Sequence, residues 1–300
     1  MTVTLRPDTD LDELLCDLGR GGLSRGRRWK NHAATAAMWI AFVIALVPLG
    51  FVFYYVVKEG LGILSWDFIT KNIPIVSSKA GPGMGPAVVG TVLITGTATV
   101  LAVPLGILGA TYLNEYGKRK RLARLIRFMT DVMTGVPSIV MGLFVYTVWV
   151  LRYKQSALAG ALALACLMLP IVVRTTEEML RLVPNSLREA SAAMGARTWR
   201  TTLGIVLPSA LPGIVSGAML AVARAAGETA PLLFTIGVVS KVNTSLSGTN
   251  TALSTQIFRN AQLPFATAQQ RAWGAALTLI LLVFVLTLAA RAITSRYVRR

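Results

Sequence analysis

Residues 181–208 contain Arg181-Leu182-Val183-Pro184-Asn185-Ser186-Leu187-Arg188-Glu189-Ala190-Ser191-Ala192-Ala193-Met194-Gly195, then, nine residues on, Ile205-Val206-Leu207-Pro208. Pro184 lacks the N–H that a helix interior needs, and Ser186 and Glu189 stand at capping-box spacing, so the pattern predicts a helix starting just after Pro184. Gly195 supplies the positive φ that ends it. A second helix is expected through Trp199 toward Pro208. The first helix, of about two turns, is marginal in isolation, and its apolar side of Leu187, Ala190 and Met194 is too small to form a core of its own. It requires a partner.

Composition places this hairpin beside a membrane. The 300-residue chain is 54% hydrophobic and 14% charged, with a mean hydropathy of +0.61, too apolar and charge-poor for a water-soluble domain. Charge-free runs at 33–57, 86–114, 132–151, 155–173, 201–223 and 272–290 are each long enough for a bilayer crossing, which takes about 17–25 residues. An all-α integral membrane fold with six transmembrane helices is expected. After Arg224 and Glu228 an apolar stretch resumes at 229–240, so the fifth span reads as one long broken helix or as two short passes.

The basic residues orient the spans. Lys and Arg number 20 in the membrane-proximal part of the tail before the first span (from Arg20 on), the links after the second and fourth, and the C-terminal end, against 8 in the alternate segments. The positive-inside rule puts both termini in the cytoplasm, which favours an even number of crossings. The formal net charge of +17 is dealt out in small clusters beside helix ends. That pattern fits anionic lipid and argues against nucleic acid. One histidine, His32, and two cysteines, Cys16 and Cys166, exclude a Ser-His-Asp site, a His/Cys metal cluster and a disulfide framework.

By this reading residues 1–32 form a cytosolic tail, with Leu11, Leu14, Leu15 and Leu18 on one face of a short amphipathic helix and Thr9 and Asp12 as its capping box. The first span, 33–57, is too long for a signal-peptide core and stays as an anchor. An extracytoplasmic loop at 58–85 ends in a Gly/Pro-rich stretch, and a basic cytosolic tail closes the chain at 294–300.

Glu189-Ala190-Ser191, three residues, Gly195, nine residues and Ile205-Val206-Leu207-Pro208 resemble the signature loop of the permease subunits of bacterial ABC importers. Further stretches resemble the permeases of phosphate importers within that family: Gly90-Thr91-Val92-Leu93-Ile94-Thr95, Gly135-Val136-Pro137-Ser138, Leu169-Pro170 through Arg174 to Glu177, and Arg224-Ala225-Ala226-Gly227-Glu228-Thr229-Ala230-Pro231. The likeness covers about residues 84–293 and departs at Ser191, where the family usually has Ala. It implies a type I importer permease core at 86–293 with a coupling loop at 176–207. In that family the loop's helix, here carrying Ser186, Leu187, Glu189, Ala190, Met194 and Gly195, docks in a groove of a separate ATPase. The implied partners are a sister permease, a pair of ATPase subunits, an extracytoplasmic phosphate-binding protein and membrane lipids. ATP and Mg would bind the ATPase, with no cofactor on this chain. The chain itself has no G-x-x-x-x-G-K-[ST] loop, since its Gly117-Lys118 pair is followed by Arg119.

Charges within the spans are the remaining candidates. Arg224 stands 16 residues after Pro208 and 16 before Ser240, about 24 Å from either end of a continuous helix. Glu228 is one turn on. Two readings stay open: an internal ion pair that fixes helix packing, or an arginine lining an anion path with Glu228 competing for it when the path is empty. Gly227 and Pro231 can loosen the helix there as a hinge. Arg174 and Glu177 join the path at its cytoplasmic mouth, where basic charge is also expected for orientation alone. Gly213 and Gly217 read as close helix packing. The function that follows is phosphate import by alternating access. The alternatives are a permease for sulfate or molybdate, or an ion-coupled secondary transporter.

Overall fold

The computed structural model describes residues 25–78, 81, 83–117 and 120–298, with side chains for all of these except 25 and 293–298. The helix expected between Thr9 and Leu18 lies outside the described residues. Those described form eleven helices and no strand. They are α1 (Arg25–Leu61), α2 (Trp66–Thr70), α3 (Gly85–Tyr116), α4 (Arg121–Gly135), α5 (Ser138–Tyr153), α6 (Ala157–Leu182), α7 (Asn185–Ala193), α8 (Thr198–Gly227), α9 (Ala230–Thr235), α10 (Leu253–Ala261) and α11 (Ala266–Val298).

The chain divides into two units between Tyr55 and Val56. In the first, α1 exposes Trp39, Phe42, Val43, Phe51 and Phe53. A helix apolar on every side is suited to lipid or to burial beneath another subunit.

The second unit is built around α3 and α6. Ile94, Ala98, Ala102, Gly106 and Ala110 recur every fourth residue on α3 and are all buried. Four of them, with Gly106 among the close contacts, face Ala161, Ala165, Met168 and Val172 of α6 or its neighbours. Small residues in such a stripe let two backbones approach, and a Cβ on Gly106 would stand 2.6 Å from Val172 Cγ1. The same device joins α6 to α8, where a Cβ on Gly213 would overlap Met179 and one on Gly217 would overlap Thr175. The expected role of these two glycines in packing holds.

Five helices are long and apolar enough to cross a membrane, and a sixth crossing is reached if α4 and α5 count together. This departs from the continuous third span expected at 132–151, because α4 and α5 meet at a 107° bend. Val136 and Pro137 there are extended, with ψ of 127° and 135°. A proline has no N–H to donate and pushes the residue before it out of the helical region, and Gly135 and β-branched Val136 do little to resist. Pro104, Pro170 and Pro212 stay inside their helices. The other break, after Gly227, falls where an interruption of the fifth span was anticipated.

At the end of this unit remote from α7, a polar layer ties loops to helices. The backbone N–H of Leu253 donates to Thr91 Oγ1 at 2.8 Å, and Gln256 Nε2 donates to Thr251 Oγ1 at 2.9 Å. Gly90 leaves room for the Thr251 carbonyl. Arg271 and Thr267 of α11 both donate to the Ser77 carbonyl.

Candidate functional site

α7 begins directly after Pro184, as expected, and Gly195 ends it with φ of +78°. The capping box does not form: Pro184 occupies the N-cap with no side-chain hydrogen bond, which leaves Ser186 as the second helical residue, too far in to cap. α8 starts at Thr198 and winds through a π-helical turn at Thr202–Val206, so the Ile205-Val206-Leu207-Pro208 motif spans the return to α-helix. Ser186, Leu187, Glu189, Ala190, Met194 and Gly195 are all exposed. Met194, 89% exposed, and Leu187, at 42%, present apolar surface that none of the described residues covers.

The opposite face of α7 is pinned. Arg188 has five N–H groups, and all five are used. Nε and Nη2 donate to Glu115 at 3.4 and 3.0 Å, Nη2 also to the Leu180 carbonyl at 2.9 Å, and Nη1 to the Val183 carbonyl at 2.7 Å and Asn185 Oδ1 at 3.3 Å. Leu180 and Val183 end α6, where unpaired carbonyls and the helix dipole favour a cation. Glu115 sits in the π-helical turn Tyr112–Tyr116 that ends α3. One guanidinium therefore binds α7 to the ends of two long helices. A second pin joins α7 to α8: Ser191 Oγ and Thr201 Oγ1 are 2.8 Å apart and buried. The Ser191 departure from the family pattern is thus matched by a hydroxyl partner.

Arg174 and Glu177, one turn apart on α6, have separate partners. The buried Glu177 Oε1 accepts from Arg127 Nε at 2.8 Å and Arg181 Nη2 at 2.6 Å, and Arg127 Nη2 reaches the Leu113 carbonyl at 2.9 Å. Arg174 pairs with Asp131 of α4. Both therefore tie α4 to α6, and neither meets Arg224.

Arg224 and Glu228 do come together, with Nε and Oε1 3.5 Å apart. The helix does not continue through them as a mid-span expectation assumed: α8 stops at Gly227, Glu228 is extended, and α9 resumes at Ala230 with Pro231 in its first turn. Pro231 closes on α5, where a Cβ on Gly142 would stand 2.5 Å from its Cα. Depth follows from packing. Gly213 meets Met179 and Gly217 meets Thr175, an antiparallel register that brings Arg224 level with Met168. That is about 17 Å from the start of α6 and about 21 Å from its end. The Arg224 side chain is 68% exposed and that of Glu228 19%. Ser254 Oγ of α10 donates to the Glu228 carbonyl at 3.0 Å, which satisfies a group freed by the break.

A cavity of about 800 Å³ lies between α6, α8 and α11 and is lined by Gly213, Ser216, Gly217 and Ala223 with Glu178 and Arg291. Arg224 and Glu228 are outside its lining. A smaller cavity of about 310 Å³ at the root of α7 is lined by Asn114, Arg127, Arg181, Asn185 and Arg188. No cluster of His, Cys, Asp and Glu able to hold a metal occurs among the described residues.

Arg188, Glu115 and Arg127 were missed in the sequence. The partners are 73 and 50 residues apart, and their one local signal is that Glu115 is the lone acid between an apolar helix and a basic link.

The sequence profile of a family described as binding-protein-dependent transport system inner membrane component matches residues 102–300. The phosphate transport system permease protein PstA 1 of Mycobacterium tuberculosis strain H37Rv is 43% identical over 288 residues, 93% of this chain and 92% of that protein. The phosphate transport system permease protein PstA of Yersinia pestis is 40% identical over 297 residues, 99% of both. Among solved structures, a chain of the bacterial alginate ABC transporter in complex with alginate pentasaccharide-bound periplasmic protein superposes with a TM-score of 0.63 at 15% identity, over 89% of this chain and 96% of that one. At that identity the likeness is one of fold.

Proposed function

Because the chain belongs to the binding-protein-dependent transport system inner membrane component family, we propose that it is a permease subunit of an ATP-driven importer carrying inorganic phosphate into the cytoplasm by alternating access. The observation that carries the coupling part is α7, whose apolar side, Leu187 and Met194, is left uncovered by the described residues while its other side is pinned to α3, α6 and α8. A bare apolar face on a rigid lever is suited to a groove on a separate ATPase, with ATP and Mg bound there. Phosphate as cargo rests on relatives named for phosphate transport that are 40–43% identical over nearly their whole length.

The complete assembly, in this reading, adds a sister permease, a second ATPase copy and an extracytoplasmic phosphate-binding protein, in a bacterial plasma membrane with both termini of this chain cytoplasmic. Arg224 and Glu228 shape the path. A charged side chain facing lipid at mid-depth costs about 2.5–3.5 kcal/mol on insertion scales, so an arginine as exposed as Arg224 faces a water-filled path instead. Gly227 and Pro231 flank the hinge, while Arg174 and Glu177 brace the cytoplasmic mouth. Selection among anions resides mainly in the delivery protein, and weak holding by Arg224 suffices. Uptake of labelled phosphate, sulfate and molybdate by the reconstituted complex with its delivery protein tests this: ATP-dependent uptake of phosphate alone is expected, and uptake without ATP or of the other anions in its place contradicts it.

A further inference from the structure

The cavity at the root of α7 is lined only by arginine and asparagine side chains: Asn114 from α3, Arg127 from α4, Arg181 from α6, and Asn185 and Arg188 from α7. The carboxylates that hold these arginines, Glu115 and Glu177, are absent from the lining. Glu115 balances Arg188, whose donors are fully used. Glu177, a single charge, is shared by Arg127 and Arg181, which leaves one positive charge in excess. The excess falls on groups with donors to spare. Arg127 spends Nε and one Nη2 bond, and Arg181 one Nη2 bond. Asn185 accepts from Arg188 through Oδ1, which leaves its amide N–H groups for another acceptor.

Guanidiniums fixed in orientation by carboxylates match the oxygens of a phosphate group, and their preorganisation lowers the entropy lost on binding. We propose that this cavity is a binding site for a phosphate group, distinct from the path at Arg224. Its walls come from α7 on one side and from α3, α4 and α6 on the other, so an occupant bridges the coupling helix to the bundle. Two sources share this chemistry: free inorganic phosphate in the cytoplasm, and the headgroup of an anionic lipid. The first deepens the proposed function and rests on it; the site itself stands on geometry alone.

The test uses the full chain purified with its bound subunits in phosphatidylcholine nanodiscs, without nucleotide or delivery protein, so failure of transport and failure of the site are separate results. The informative variant is Asn185→Asp, which puts a carboxylate into the lining, keeps the acceptor for Arg188, and suits the first turn of α7. Arg181→Gln is the second variant, and thermal unfolding checks that both fold. Saturable binding of 32P-labelled phosphate, weakened at least tenfold by Asn185→Asp and by Arg181→Gln but kept in Arg224→Ala, supports the site with free phosphate as ligand. No phosphate binding, but phosphatidylglycerol retained from mixed nanodiscs by the wild type and lost from both variants, supports it with lipid as ligand. Phosphate and lipid binding unchanged in both variants, or abolished by Arg224→Ala alone, overturns it.

Discussion

Arg188 and Arg224 occupy opposite regimes of one molecule. The Arg188 side chain is 15% exposed, faces a nearly buried carboxylate, and uses every donor it has. Arg224 is 68% exposed and has one polar contact among the described residues, at 3.5 Å, to a glutamate just past a helix break. The first is spent on architecture, because it ties α7 to the ends of both α3 and α6. The second retains four donors beyond that contact, which is what a residue that takes up and releases an anion requires. The α7 hairpin is thus the rigid part and, in the proposed function, the α8–α9 break the adaptable one.

If that contrast is right, substitutions at the two arginines affect different observables. Arg188→Ala leaves the Glu115 carboxylate buried without its cation, a loss of about 3–5 kcal/mol. A lower unfolding temperature and less assembled complex are expected, and Arg188→Met with Glu115→Gln should recover part of the stability. Arg224→Ala is expected to leave unfolding unchanged while phosphate uptake falls at least tenfold, with Arg224→Lys in between. Uptake intact in assembled Arg224→Ala removes the path assignment. Gly217→Val forces methyl groups onto Thr175, and overpacking of this kind costs about 1–3 kcal/mol in thermal stability.

Smaller effects belong to the hairpin turn. Gly195→Ala places a Cβ at φ of +78°, where the penalty is about 1–2 kcal/mol. It is expected to weaken ATPase binding more than overall stability, because no neighbouring atom meets the new methyl. Ser191→Ala removes one buried hydrogen bond and leaves Thr201 with its long contact to the Arg197 carbonyl, a loss of about 1 kcal/mol. Ser191→Ala with Thr201→Val is expected to restore it.

The hairpin was legible because local rules suffice there: a proline before, a glycine after, and apolar residues on one side of a short helix. The level of Arg224 beside Met168, near the middle of α6, comes from helix packing and not from the continuous helix that the sequence suggested. The bend at Pro137 was hidden because counting uncharged residues is blind to a proline inside the run, and other prolines in this chain do not break their helices. Arg188 was hidden because its carboxylate partner lies 73 residues away, beyond any local pattern. Glu177 was read as part of the path because its charge could be seen and its two arginine partners could not.

Gripping of α7 by a separate ATPase is tested most directly by Leu187→Asp with Met194→Asp, since both side chains are exposed and their replacement is expected to leave the fold intact. Purification of the tagged chain should recover ATPase subunits with the wild type and none with the double variant, while the unfolding temperature stays unchanged. Equal recovery of ATPase with both, or phosphate uptake by the double variant at the wild-type rate, would contradict it.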